Sequence, residues 1–154
     1  MELPAHFHFT HRRTVEFADT DLAGIVHFAN FFRYVETAEH AFFRSLGFPS
    51  HSADGAEHHG WPRLDVSCQF LRPARFEQTL EIGLRIEELR TSSLRYGFWI
   101  FGEETAGRSL LAHGRFAIIH VAFTPPARQL HKAPIPAPLR ARLENFRSSP
   151  PPAS

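Results

Sequence analysis

Residues 30–46 read NFFRYVETAEHAFFRSL, and Phe31, Val35, Ala38, Phe42 and Leu46 recur at steps of three or four, the period of a helix. Asn30 suits the N-cap of that helix, and Gly47, with Pro49 beyond it, suits its stop. Phe28, Phe32 and Phe43 widen the apolar surface beyond a single stripe. A helix apolar on most sides is normally buried on most sides. One long central helix, enclosed by its neighbours, is therefore expected.

On the N-terminal side, residues 7–17 alternate loosely and end in Val15-Glu16-Phe17, a strand pattern. On the C-terminal side, a His-, Ser- and Gly-rich stretch over 49–61 reads as a loop. The period then changes to two. Leu64, Val66, Cys68 and Phe70 alternate with polar residues, as do Leu80 to Ile86, Leu94 to Ile100 and Leu110 to Ile118. Short polar turns at 90–92 and 103–108 suit antiparallel hairpins. Strand, helix and four strands together predict an α+β fold, a curved antiparallel sheet wrapped around one long central helix. Eight of the twelve prolines lie beyond Thr124. A short helix is expected over 137–146, where Leu139 and Leu143 share a face. A single domain is expected over 1–147, with 148–154 a disordered tail.

The balance of 17 basic and 16 acidic side chains excludes the electrostatic footprint of a nucleic-acid or anionic-membrane binder. Cys68 is the single cysteine, so no disulfide forms within the chain, and a reducing, cytoplasmic location is expected. The N-terminal residues lack the continuous apolar run of a signal peptide. The most apolar stretch, LLAHGRFAIIHVAF, is interrupted by His and Arg and is too short to span a bilayer. His51, His58 and His59 share one segment, but no Cys or carboxylate spacing completes a metal site. No G-x-S-x-G elbow occurs. Cys68 alternates within a strand as a small buried hydrophobe.

Asp19 and Asp21 are two of only four aspartates, and they lie between a strand and the start of the apolar helix. A carboxylate placed there shares its surroundings with the unpaired N–H groups and positive dipole end of the helix. Such a pairing suits acyl transfer: the carboxylate acts on a carbonyl carbon or on a water, and N–H groups stabilise the oxyanion. Gly24 would let the backbone pass close to a substrate. By spacing alone the capping reading is favoured, with the two acids as caps of a turn and of the helix, since Asp is common in such turns.

The segment FADTDLAGIVHFANFFRYVETAEHAFFRSLG, residues 17–47, resembles the signature of the 4-hydroxybenzoyl-CoA thioesterase family of hot-dog enzymes, without a gap from Val15 to Gly47. A looser likeness is FLRPARFEQTLEI, similar to the family's strand-turn-strand with Pro-Ala. The resemblance implies hydrolysis of an aromatic or short to medium acyl-CoA to free acid and CoA, without metal or redox cofactor. It makes Asp21 the catalytic carboxylate, nucleophile or general base, and the Phe28 N–H the oxyanion donor. Asp19 then holds the loop. His27 stands one position before the His of short-chain members, where this chain has Phe28, which leans towards a bulky or aromatic acyl group; His27 itself is expected to line the pocket. Glu36 occupies an acidic position of the family helix and is expected at a loop anchor or subunit contact.

Arg90, Thr91, Ser92 and Ser93 align with a turn that holds CoA phosphates in the family, although only Arg90 is basic here; Arg72 and Arg75 are further phosphate candidates. The resemblance also implies a homo-oligomer, a dimer of dimers, in agreement with Trp99 and Phe101 being left uncovered by one isolated sheet. The alternatives are an enoyl-CoA hydratase on the same fold and a non-catalytic acyl-CoA or acyl-carrier binding module. The hydratase pattern needs an Asp and a His five apart with Asn-Pro between, whereas Asp21 and His27 are six apart.

Overall fold

The computed structural model describes residues 2–49, 51–54, 56–105, 107–125 and 129–148. The chain runs β1 (Phe9–Thr14), a 3-10 turn (Phe17–Asp19), α1 (Phe28–Ser45), β2 (Ser52–Asp54), β3 (Glu57–Gly60), β4 (Arg63–Phe70), β5 (Thr79–Leu89), β6 (Ser93–Glu104), β7 (Gly107–Ile119), β8 (Val121–Phe123), β9 (His131–Lys132) and α2 (Ala137–Ser148). All four segments of period two form long strands of one antiparallel sheet, in the order β1-β5-β6-β7-β4.

The expectation of one curved sheet wrapped around one helix is overturned. The architecture is α+β and hot-dog-like, with two helices and a second, four-stranded sheet in the order β2-β3-β8-β9. The five-stranded sheet stays open: β1 and β4 are its edges, each bonded on one side within it. The polar stretch 49–61, read as a loop, contains β2 and β3, because His58, His59 and Gly60 find partners in Phe123, Ala122 and Val121, far along the chain. No alternation of apolar residues marks that pairing in advance.

Helix α1 is also less enclosed than its composition suggests. Phe31, Tyr34, Val35, Ala38, Glu39, Phe42 and Phe43 are buried and form one face, whereas Phe28, Arg33, Glu36 and Arg44 are exposed. One face needs one packing partner, so the sheet need not surround the helix. Its N-cap is His27, not Asn30. The His27 ring accepts the Ala29 N–H at 3.3 Å, and the Asn30 amide turns back to donate to the Asp19 carbonyl at 2.8 Å. The expected stop holds. Gly47 sits at φ +77°, its N–H bonds the Arg44 carbonyl, and the Phe48 N–H bonds the Phe43 carbonyl, the paired bonds of a Schellman ending.

Trp99 and Phe101 are not left uncovered. Phe7 lies against both rings, with centroids at 5.5 and 5.9 Å, and the Arg108 guanidinium lies over Phe101 at 4.4 Å. Both side chains are buried within the chain itself. Leu139 and Leu143 of α2 are buried as expected, and Phe146 meets Phe42 edge to face. Residues 149–154 of the expected tail lie outside the described residues. Among the described residues no helix is long and apolar enough to cross a membrane.

Candidate active site

The two acids of the DTD segment meet different fates. Asp19 ends the 3-10 turn and is buried; its carboxylate accepts the Glu16 N–H at 3.0 Å and faces Arg13 Nη2 at 3.4 Å. Its carbonyl accepts from both the His27 N–H and the Asn30 amide. Tyr34 and Arg13 complete this anchor, with the guanidinium 4.7 Å over the ring. The Tyr34 hydroxyl is buried without a partner in hydrogen-bonding geometry, and burial, with the Asp19 carboxylate beside it, holds its pKa above the ordinary tyrosine value.

Asp21 is exposed. One carboxylate oxygen accepts the Ala23 N–H at 2.8 Å, a local turn bond that fixes the side chain and leaves the second oxygen open to a ligand. The backbone closes around it: Asp21 N–H bonds the Ile25 carbonyl and Gly24 N–H bonds the Asp21 carbonyl, both at 2.9 Å. Gly24 takes φ +71°, and a side chain there would meet nothing, so the turn angle and not crowding calls for glycine. The loop is tied to the segment after β4, through the Val26 N–H on the Ala74 carbonyl and a bridge between Ile25 and Arg75.

These ties create a cavity of about 490 Å³. Asp21, Ile25, Val26, Phe28 and Phe31 form one side, and Phe70, Leu71, Arg72 and Pro73 the other. Apart from one carboxylate and one guanidinium its lining is apolar, three phenylalanines among aliphatic side chains, the usual make-up of a small-molecule site. Phe28 is the first residue of α1, where a backbone N–H has no carbonyl one turn earlier in the helix to bond. The site thus combines a fixed carboxylate, a helix N-terminus and an apolar acyl-sized space. A carboxylate so placed can attack a thioester carbon or deprotonate a water, and the helix N-terminus can receive the negative charge that develops on oxygen.

Other candidates lie elsewhere. His27 caps α1, and its ring lies tilted beside Phe28 with centroids 4.5 Å apart; it is not among the residues lining the cavity. Glu36 is exposed and paired with Arg63 of β4 at 3.1 Å. The buried acid of the helix is Glu39, which receives two bonds from Arg63 at 2.6 and 2.9 Å and one from the Tyr96 hydroxyl. Burial pushes its pKa up to about 7, with Arg63 pulling the other way. Arg90 pairs with Glu88, its carbonyl accepts from Arg140, the Thr91 carbonyl accepts from Ile135, and Ser92 is buried; Ser93 opens β6.

The histidines of 51–59 are engaged in ring contacts: His58 lies on Phe123 and His59 stacks on His120. Among the described residues no group of three or more His, Cys, Asp or Glu is placed to hold a metal ion. Burial pushes the half-buried Cys68 thiol up to about 11, away from reactivity. The sequence carried no sign of the cavity's second wall beyond the loose strand-turn-strand likeness. Nor did it mark Glu39, which sits at helical spacing among core residues and differs in no local way from Glu36.

The sequence profile of the thioesterase superfamily matches residues 23–109, more than half of the chain, starting two residues after Asp21. The chain is 31% identical over 135 residues to a 1,4-dihydroxy-2-naphthoyl-CoA hydrolase of Thermosynechococcus vestitus, covering 88% of each. It is 31% identical over 86 residues to a 4-hydroxybenzoyl-CoA thioesterase of a Pseudomonas species, covering 54% of this chain and 61% of that one. A solved 1,4-dihydroxy-2-naphthoyl-CoA thioesterase from Synechocystis superposes with a TM-score of 0.69 at 25% identity, covering 90% of this chain and 94% of the other.

Proposed function

Because the chain belongs to the thioesterase superfamily, akin to the 4-hydroxybenzoyl-CoA thioesterases, and is an acyl-CoA thioester hydrolase, we propose that Asp21 is its catalytic carboxylate and an aromatic acyl group its substrate. The observation that carries this reading is the cavity itself: Asp21 is the one carboxylate in a space walled by Phe28, Phe31 and Phe70. In the nucleophilic route an Asp21 oxygen bonds the thioester carbon, the C–S bond breaks, CoA leaves as thiolate, and water hydrolyses the mixed anhydride. In the general-base route Asp21 takes a proton from the water that attacks the thioester carbon, the C–S bond breaks, and the proton passes to the departing CoA thiolate. Both routes put the oxyanion at the Phe28 N–H. Aromatic side chains offer an aromatic acyl group edge and face contacts that a short aliphatic chain cannot use. Both relatives named above act on aromatic acyl-CoAs.

The test is thiol release from a panel of aromatic and aliphatic acyl-CoAs. Asp21→Asn and Asp21→Ala are expected to lower kcat by about a hundred- to ten-thousand-fold with an unchanged melting temperature, since the side chain is exposed. Full activity in both variants overturns the assignment of Asp21. A preference for aliphatic chains overturns the substrate class. Loss of enoyl absorbance without thiol release would mark a hydratase, and binding without any turnover a binding module.

The enzyme is further proposed to work as a homo-oligomer, a dimer of dimers, in the cytoplasm. Strand β4 supports the assembly: it bonds only β7 within its sheet, and Leu64 and Val66 on it are 59% and 45% exposed. An apolar edge strand of this kind pairs readily with a second copy. Phe70 of the same strand lines the cavity, so the edge and the site are adjacent.

A further inference from the structure

A second hollow, of about 560 Å³, adjoins the cavity that holds Asp21. Arg72 and Pro73 belong to both. From there the second hollow continues along Arg75, Phe76, Glu77 and Gln78. Arg72 and Pro73 thus stand between the two hollows, and Arg75 lies in the second of them. Both arginines are exposed, and neither side chain makes an ion pair or hydrogen bond among the described residues. Their backbones, in contrast, are held: Arg72 N–H bonds the Leu111 carbonyl, and Arg75 N–H bonds the Gln78 side chain. Two unspent guanidinium groups thus stand on a fixed loop in the second hollow, one of them shared with the cavity.

We propose that this hollow is the subsite for the phosphate-bearing end of the substrate, with Arg72 and Arg75 donating to phosphate oxygens; the inference rests on the thioesterase reading of the cavity. An acyl-CoA joins its thioester to a polyanionic nucleotide through a long neutral arm, which suits a reactive cavity with a guanidinium-lined hollow beside it. The guanidinium fork fits phosphate oxygens two at a time. Glu77 and Glu104 also line the groove, so it holds no net charge. Recognition there comes from directed donors and not from a broad positive field.

The turn at Arg90 is the competing site, and the structure disfavours it within one chain. Its guanidinium and two of its carbonyls already have partners. It also lies at the far end of β5, an eleven-residue strand whose other end begins beside Gln78. Eleven residues of strand span roughly 35 Å.

Titration calorimetry with free CoA reads the subsite directly, on the full-length wild type, Arg72→Ala/Arg75→Ala and Arg90→Ala. The double variant is expected to weaken CoA binding roughly ten-fold or more, in line with the loss of charge-assisted bonds, and Arg90→Ala to leave it unchanged. In parallel, kcat/KM is compared on an acyl-CoA and on the same acyl group carried by phosphate-free pantetheine. The double variant should lose activity through KM on the first substrate and keep it on the second. Absence of CoA binding by the wild type, equal binding by the double variant, equal losses on both substrates, or a loss in Arg90→Ala each overturns the proposal. Weakened CoA binding in the double variant, with no thiol release from either substrate by any form, would instead sink the thioesterase reading and leave the phosphate subsite standing.

Discussion

Asp19 and Asp21 show how two identical residues, two positions apart, acquire different chemistry from their surroundings. Asp19 is enclosed by Arg13, the Glu16 N–H and Tyr34, so its oxygens serve the loop. Asp21 is held by a single local side-chain bond and lines an apolar cavity. Glu39 is a third case, a carboxylate out of water between Arg63 and Tyr96. Its folded-state pKa of about 7 lies above that of a free glutamate, so the folded state holds this proton more tightly than the unfolded one. The stability it contributes is full below the unfolded value of 4.5 and is lost as pH rises through about 7. His8, His113 and His120, all lowered chiefly by burial, act in the opposite sense as pH falls, so the informative quantity is a difference between proteins. The melting temperature of Glu39→Gln minus that of wild type should rise from pH 5 to about pH 7 and level off above it. A difference that stays flat with pH would contradict a buried, proton-retaining Glu39.

At the scale of elements, α1 connects the site to the core. Its first residue, Phe28, lines the cavity, and its last turn ends in a Schellman motif around Gly47. That ending depends on one residue without a side chain. A Cβ on Gly47 would lie 2.8 Å from Arg142 Nη1, and the Arg142 guanidinium is the group that donates to the Leu46 carbonyl. Gly47→Ala is therefore expected to destabilise the protein by about 1–2 kcal/mol, from the positive φ and the displaced guanidinium together. Denaturant unfolding checks this, and an unchanged midpoint would refute it. Since the cavity lies at the other end of the helix, thiol release by the folded variant should stay near that of wild type.

At the scale of the whole molecule, the open β4 edge sets the expectation for assembly. Leu64→Lys/Val66→Lys places two charges on that edge without touching the core. Light scattering should then report a smaller species than wild type, and an unchanged mass would remove β4 from the interface. How much of this was legible in the residues depends on the range of the forces involved. The helix, its stop at Gly47, the four long strands and the place of the acid pair all follow from periodicity and turn chemistry, which act between close neighbours in sequence. The 17–47 segment resembled a thioesterase motif for the same reason, as a contiguous run. The second sheet, the cover of Phe7 over Trp99 and the burial of Glu39 in place of Glu36 were not legible. Each depends on partners that only packing brings near. The site divides along the same line: Asp21 and Phe28 belong to one local segment that the sequence displays by itself. The wall from Phe70 to Pro73, and the groove beyond it to Arg75, exist only because the chain returns after some fifty residues and its backbone bonds to the Asp21 loop. A sequence does not show which distant segments will satisfy each other's polar groups; the folded backbone, obliged to pair its buried N–H and carbonyl groups, settles that.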